Sequence, residues 1–457
     1  MDPLGTTPSK TTVQIDVNGP ITQMYRRHDK MGMTGISRFV LLFVMEVLVN
    51  IPGLFTLRKA YRKGKRTKST EPIVACVGDN LDEVNGIAIT SRIMLAKLRE
   101  QNRKIYLFGV AFHSKPPRIE GPDQSVILAP GRYSMQQAGY PASEVTLIQF
   151  KSVIRFLREK SIDLIELQTP GPVALLCLIA AKFAGIKTVS HYRTDILTYS
   201  KLLIKNRLGV WSINTVTKLV TLWAGPVITP SIAYSQKVAE MGIPADRIFK
   251  LPRGVDLKDF TPNKAALGTW QKLGLPSSGF KLLYVGRISR EKNLDRILEI
   301  FPDLVSTHPQ ISITFVGDGP YREPLEKKLH GIPGVHFTGV ILGEELSSLF
   351  ASADLFVFPS LTDTFGNSVV EALASGTPCI TSNLGGPREI ILDGVCGLVF
   401  DPSISGDFQA KILTLAQDAQ MHARFKLKAR ERALEFSYDN ASQAFWNFYS
   451  QQFLDSH

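Results

Sequence analysis

From Glu71 onward, short apolar runs rich in β-branched residues alternate with helical stretches, and this rhythm constrains the fold more than any other feature of the chain. IVACV (73–77) reads as a strand, and a helix from about Ile89 to Gln101 leads to the strand KIYLFGV (104–110). FKSVIRFLREK (150–160) reads as helix, IDLIELQ (162–168) as strand, and VALLCLIAAKFAG (173–185) as a helix stopped by Gly185. KTVSHY (187–192) and PVITPS (226–231) are further strands. A second series runs KLLYVGR (281–287, strand), NLDRILEIFPDL (293–304, helix), ISITFVG (311–317), GVHFTG (334–339) and ADLFVFPS (353–360, strands). It ends with the helix NSVVEALASG (367–376) and the strand PCITS (378–382). Strands separated by helices pair in parallel, and a parallel sheet needs helices on both faces. With 457 residues the chain has length for two such domains. The expected architecture is α/β, with doubly wound domains at 71–260 and 281–435 facing a cleft. The Pro-, Gly- and Ser-rich stretch 261–280 would be the linker, and a helix at 436–457 would pack back on the first domain. In such folds ligands bind beyond the carboxyl ends of the strands.

The charge sits at the front. The formal net charge is +12, and residues 1–70 hold 12 Lys and Arg against 4 Asp and Glu, so the remainder is close to neutral. A nucleic-acid-binding face would carry basic residues interleaved with aromatics over a folded surface. Here they flank the apolar run Phe39–Leu57, with Arg26, Arg27, Lys30 and Arg38 before it and Arg58, Lys59, Arg62, Lys63, Lys65, Arg66 and Lys68 after it, which argues against a nucleic-acid partner. A 19-residue helix would be about 28 Å long, close to a bilayer core. Glu46 opposes a clean span by about 2.5–3.5 kcal/mol. Glu46, Asn50 and Gly53 form one narrow polar stripe, and Pro52 kinks or ends the helix. A helix lying in the membrane plane with this stripe toward the headgroups fits, and so does a single span. A buried core helix fits less well, because anionic lipid attracts each flanking cation by about 1 kcal/mol. Residues 1–70 therefore read as a basic extension with a membrane-associating helix at 39–57. The heavier positive flank on its C-terminal side puts the main body on the cytoplasmic face. The apolar run begins too late, and ends without a cleavage pattern, for a removed leader. Cys76, Cys177, Cys379 and Cys396 are spaced like neither a disulfide scaffold nor a zinc site, and read as free thiols.

Chemistry concentrates at four junctions of the second series. In VGRISREKN (285–293), Gly286, Arg287 and Lys292 follow a strand end, where Arg can grip a diphosphate with its fork and Lys as a point charge; a solvated basic turn is the plain alternative. FVGDGP (315–320), with Gly317, either brings backbone to a ligand or simply reverses the chain. In SLTDTFGNSVVEALASG (360–376), Asp363 and Glu371 stand eight apart across a loop and a helix start. Thr364, Phe365, Gly366 and Asn367 open that helix, with Asn367 as the expected cap, and free N–H groups there suit a phosphate or sugar hydroxyl. Glu371 lies one turn inside among apolar neighbours; it is either an acid favoured by the helix dipole or the acceptor of a ribose's two hydroxyls. SNLGGPREII (382–391) forces a tight loop before Glu389.

Together these strings resemble the retaining, nucleotide-sugar-dependent glycosyltransferases of family 4, which have the GT-B fold of two Rossmann-like domains. The resemblance covers roughly 72–440 and is strongest over 281–402. PRGVDLKDF (252–260) is similar to the family's Asn-Gly-Val-Asp segment, with Arg253 in place of Asn, and the family's Glu-x7-Glu becomes Asp363-x7-Glu371. The TDTFGN…EALASG string is most similar to the glycolipid mannosyl- and glucosyltransferase branch. The resemblance implies that Arg287 and Lys292 hold the donor diphosphate, Glu371 the ribose, and Asp363 the donor sugar. It implies contacts from Gly86, Gly286, Gly317 and the Thr364–Asn367 loop to the donor, and an acceptor side near Asp82, Glu83 and Asn85. In SHYRTD (190–195) the family's sugar-contacting His falls on Arg193, leaving His191 as the nearest imidazole, with Asp195 a second acceptor contact. The co-substrate would be a UDP- or GDP-linked sugar, with no metal or other cofactor.

The expected reaction moves glucose or mannose, with retention, to a membrane lipid or lipid-linked acceptor. A diacylglycerol or monoglycosyl lipid leads, with polyprenyl-linked and inositol-phospholipid acceptors close behind. The partners are then the nucleotide sugar, the lipid acceptor and an anionic membrane surface, with the protein peripheral, monotopic or single-pass. Two other readings stay open: a soluble transferase acting on a sugar or phosphate metabolite, and a membrane protein that binds a nucleotide sugar without turning it over.

Overall fold

The computed structural model describes residues 13–14, 28–29, 33–63, 71–79, 81–82, 86–111, 115–121, 123–137, 140–203 and 207–455. They form two compact units. The first holds the described residues up to His191, with Trp211–Val227 and the stretch from Trp446. The second holds Tyr192–Val210 and Ile228–Phe445. Residues 192–210 and 228–260, expected in the first domain, thus belong to the second unit. The segment expected as a linker carries the helix Leu267–Lys272, and its Trp270 is fully buried in the second unit's core.

The first unit is built on a sheet whose parallel centre is Val126–Ala129, Ile105–Val110, Val74–Val77, Leu164–Leu167 and Lys187–His191, in that spatial order. Arg118–Glu120 adds antiparallel to Val126–Ala129. The central strands read as continuous apolar runs because both faces are covered; Val74–Val77 and Leu164–Leu167 are buried at every position. A hairpin of Gly131–Gln137 and Tyr140–Ile148, not foreseen in the sequence, forms a separate small sheet. Its inner face includes polar residues, with Ser134 and Thr146 sharing a 2.9 Å hydrogen bond.

The apolar N-terminal run forms two helices, Met33–Val49 and Ile51–Lys63. The chain bends by 51° between them, where Asn50 and Pro52 interrupt the ladder. Among the described residues no single helix is long and apolar enough to cross a membrane, although this bent pair has the length and composition to do so. The polar stripe turns toward the protein and not toward headgroups, a correction to the sequence reading. Glu46 is only 4% exposed, pairs with Arg132, and accepts a 2.9 Å hydrogen bond from the N–H of Phe150, the first residue of helix Phe150–Lys160. Asn50 donates to the Glu46 carbonyl at 2.8 Å, and a Cβ on Gly53 would lie 2.9 Å from Ile154. Leu42, Leu54 and Leu57 join the first unit's core, while Val40, Leu41, Val44, Leu48, Val49 and Phe55 face outward. The reason is energetic: a carboxylate gains a cation and a helix-start amide inside the fold, whereas methyl and phenyl groups leave nothing unpaired outside it.

The second unit is one all-parallel sheet in the order Val335–Gly339, Ile311–Val316, Phe280–Val285, Leu355–Phe358, Cys379–Ser382, Gly397–Phe400. The order reverses between Phe280–Val285 and Leu355–Phe358, so the loops after these strands splay apart at their carboxyl ends. Those loops carry Arg287, Lys292 and Asp363.

Candidate active site

Strand Phe280–Val285 ends in Gly286, and its neighbour Ile311–Val316 ends in Gly317. A Cβ on Gly317, at φ 134°, would stand 2.0 Å from the Gly286 carbonyl oxygen, so the two loops cross backbone on backbone. Close approach of the chain to itself accounts for Gly317. Past Gly286 the Arg287 side chain is exposed. Lys292 closes a short turn, Arg290–Lys292, and points inward: its Nζ lies 2.7 and 2.9 Å from the two oxygens of Asp363 and 5.8 Å from the Phe358 ring centroid. Burial alone would pull the ammonium down, but Asp363, with Tyr284 and Glu291, holds its pKa above the ordinary value. The lysine therefore stays charged in a mostly dry setting, 15% exposed.

Asp363 sits on a loop held from two sides. Gly386 donates its N–H to the Asp363 carbonyl at 2.8 Å, and any side chain at Gly386 would strike the Thr364 carbonyl, so the Gly385-Gly386-Pro387 turn props this loop. Thr364 donates its hydroxyl to the Arg193 carbonyl at 2.9 Å, which ties SHYRTD to the same place. Phe365 points into the core, 4% exposed, against Phe436. The helix begins at Asn367, but its cap is Gly366, in a left-handed conformation at φ 104°, and not Asn367 as the sequence suggested. With Asn367 already helical, its side chain turns inward and its buried Oδ1 finds no hydrogen-bond partner among the described residues. One turn on, burial pushes the Glu371 carboxyl up to about 7, and no hydrogen bond reaches it among the described residues. Its helix neighbours Val369, Val370, Ala372, Leu373 and Ala374 are buried as expected.

Other expected residues serve the scaffold. Asp195 is 1% exposed and accepts from Thr198, Tyr234 and Lys237, the last at 2.6 Å. Glu389 accepts the N–H groups of Ile232 and Ala233, both at 2.9 Å, and so closes the start of helix Ile232–Glu240. In the first unit, His191 is buried with its Nδ1 2.6 Å from Glu166 Oε1. Tyr449 and Cys76 also donate to Glu166; burial would raise its carboxyl, and these bonds with the His191 charge hold it well below the usual range. The His191 ring nitrogen is thus committed to the fold. Asp82 is buried in ion pairs with Arg118 and Lys115. Gly86 is the exposed first residue of helix Gly86–Glu100. Glu83 and Asn85 lie outside the described residues.

The structure thus gathers Lys292, Asp363, Thr364, Glu371 and Arg193 in the second unit. It adds Arg253, whose guanidinium feels Arg193 and Asp363, and the neutral phenol of Tyr438, which lies within reach of Glu371, Arg193 and Arg253. Sequence reasoning noted Arg253 only as a departure from a family string. Tyr438 had no signal, since it comes from a distant helix, Tyr438–Leu454.

A chain with two sheets of this kind has the two-domain GT-B architecture. Among solved structures it is similar to sucrose-phosphate synthase from Thermosynechococcus elongatus, with TM-score 0.68 and 21% identity over 84% of this chain and 99% of that one. The family model for glycosyl transferases group 1 matches residues 270–432, and that for Glycosyltransferase Family 4 matches 84–259. The chain belongs to the family 4 glycosyltransferases. It is 30% identical to the GDP-mannose-dependent alpha-mannosyltransferase of Mycobacterium tuberculosis over 63% of this chain and 72% of that protein. It is 32% identical to the sulfoquinovosyl transferase SQD2 of Arabidopsis thaliana over 61% of this chain, a match spanning about half of that relative, 55%. It is 24% identical to the alpha-monoglucosyldiacylglycerol synthase of Streptococcus pneumoniae over 80% of this chain and 82% of that protein.

Proposed function

We propose that the protein transfers a hexose, with retention, from a nucleoside diphosphate sugar to a lipid acceptor at the surface of a membrane. The observation that carries this reading is the half-buried Lys292–Asp363 pair, with the Glu371 carboxyl, one turn into the next helix, receiving no hydrogen bond among the described residues. In the reaction the bond from the sugar's anomeric carbon to phosphate oxygen breaks, and a bond to the acceptor oxygen forms. The acceptor's proton leaves with the diphosphate. Negative charge grows on the departing oxygen, and fixed cations in a dry site lower that barrier most. Lys292 would exchange part of its hold on Asp363 for this oxygen, releasing the carboxylate to a sugar hydroxyl. Arg287, exposed at the strand end, would reach the outer phosphate. Such a site needs no metal, because the two cations supply the charge. Two relatives named for GDP-mannose and for glucosyldiacylglycerol support a glucosyl or mannosyl donor and a glycerolipid acceptor.

The membrane reading is supported by the outward apolar residues of Met33–Lys63, with Arg58, Lys59 and Arg62 exposed beside them. A second exposed apolar stripe lies on helix Arg207–Ala224, whose residues from Trp211 on belong to the same unit; Trp211, Leu219 and Trp223 are 64%, 58% and 50% exposed. Its inner residues Val220 and Ala224 share the core with Leu54 and Leu57. Tryptophan beside cations suits the headgroup layer of an anionic leaflet, and the cytoplasmic face is the one that offers it.

The test is transfer from labelled UDP- and GDP-hexoses to diacylglycerol, monoglycosyldiacylglycerol and phosphatidylinositol in vesicles. Label should move to the lipid extract, and Lys292→Ala should cut turnover by about two to three orders of magnitude. Transfer only to water-soluble acceptors, or a near-wild-type rate for the variant, would overturn the reading.

A further inference from the structure

Among the described residues Arg253 is a cation with no ion-pair partner. Its Nε and Nη2 are buried and make no hydrogen bond, and no ion pair reaches the guanidinium among the described residues. It lies 5.7 Å from the centroid of the Phe365 ring, a contact that cannot neutralise it. Arg193, 8% exposed, is near enough for its charge to act on Arg253. Asp363 also acts on Arg253, but that carboxylate is already held by both of its oxygens on Lys292. The carboxylate that acts on Arg253 is thus engaged elsewhere, and a second guanidinium stands beside Arg253. Burial, then the neighbouring Arg193, pulls the Arg253 pKa down to about 9. Guanidinium nitrogens taken out of water without a partner are costly, so a fold keeps them only where something repays it.

The backbone does not let the arginine escape. Val255 donates to the Phe436 carbonyl at 2.7 Å, Tyr438 donates back to Val255 at 3.3 Å, and a Cβ on Gly254 would strike Tyr438. Asp256 accepts the N–H groups of Lys258 and Asp259, which fixes the turn that follows. Arg193 is held by its carbonyl on Thr364. The cations are preorganised for a ligand that is negatively charged.

We propose that Arg253, with Arg193, binds an oxyanion of a substrate beside the Lys292–Asp363 pair. The shared chemistry is a phosphate, sulfonate or carboxylate group. It would come from the donor's diphosphate, from an acidic substituent on the transferred sugar, or from an anionic acceptor headgroup. Only the identity of the anion rests on the transferase reading.

The experiment compares the full-length wild type with Arg253→Gln and Arg253→Lys by calorimetry and thermal unfolding. The probes are inorganic pyrophosphate, UDP and GDP, a neutral and a uronic nucleoside diphosphate sugar, and vesicles with phosphatidylinositol or with diacylglycerol alone. In Arg253→Gln at least one anion should bind ten-fold or more weakly, with partial recovery in Arg253→Lys. The ligand-free Tm should hold or rise, because an unpaired charge has gone. Weakening with pyrophosphate and the nucleotides marks the diphosphate as the source; weakening confined to the uronic donor or to phosphatidylinositol marks the other two. If wild type binds pyrophosphate through Arg253 but no nucleotide, the oxyanion site stands and the transferase reading fails. Unchanged affinity for every probe, or a lowered ligand-free Tm with no change in affinity, overturns the proposal.

Discussion

Glu371 carries its proton further up the pH scale than a carboxyl in water, to about 7, because burial penalises the charge. The sign follows from linkage. A raised folded-state pKa contributes stability below the ordinary carboxyl value, and this contribution is lost as pH rises through about 7. Binding runs the other way, since two ribose hydroxyls donate best to an ionised carboxylate. Affinity for a nucleoside diphosphate sugar should rise about ten-fold per pH unit below 7 and level off above it. Calorimetry near pH 6 should show proton release, and Glu371→Gln should flatten the profile; a flat wild-type profile would exclude the ribose role. The placement of Glu371, Lys292 and Asp363 was legible in the sequence because its signal is local: a charge just past a strand end or one turn into an apolar helix. His191 was not, because its partner Glu166 lies on a neighbouring strand and the third member, Tyr449, comes from the far end of the chain. The isolation of Arg253 is likewise a property of four distant segments together.

At the scale of elements, the helix pair Met33–Val49 and Ile51–Lys63 shows what periodicity does and does not supply. Spacing alone places Glu46, Asn50 and Gly53 on one stripe and the break near Pro52. It does not say what the stripe meets, because Arg132 and Phe150 are 86 and 104 residues away. The hairpin carrying Arg132 hid for the same reason: residues 131–148 turn Ser134 and Thr146 inward, so their alternation does not read as apolar against polar. Glu46→Ala would leave the Phe150 N–H unbonded and remove the ion pair with Arg132. It should cost about 3–5 kcal/mol, seen as a lower urea midpoint of the full chain. An unchanged midpoint would mean that the helix pair does not dock on the first unit through this residue.

Over the whole molecule, charge and apolar surface have different ranges. On the proposed membrane reading, the excess of cations in residues 1–70 would attract an anionic leaflet over about one Debye length, roughly 8–10 Å at physiological salt. The outward side chains of Met33–Lys63 act only on contact. Leu48 and Phe55, both 58% exposed, can enter the headgroup layer without disturbing Glu46, which holds the same helices from inside. Vesicle binding should therefore have two parts. Raising salt from about 0.05 to 0.5 M should weaken binding to phosphatidylglycerol vesicles but leave a remainder, because screening does not touch apolar burial. Replacing both residues, Leu48→Asp with Phe55→Asp, should abolish that remainder and lower affinity at low salt by at least about ten-fold, since each apolar side chain contributes on the order of 1 kcal/mol or more when buried. Leu48 is exposed, and Phe55 keeps one edge on the Phe183 ring, with centroids 5.1 Å apart, so the variant should fold with a Tm only modestly below wild type. Co-sedimentation across the salt series decides the matter: equal binding of variant and wild type at high salt would show that these helices do not enter the bilayer and that electrostatics alone brings the protein to its acceptor.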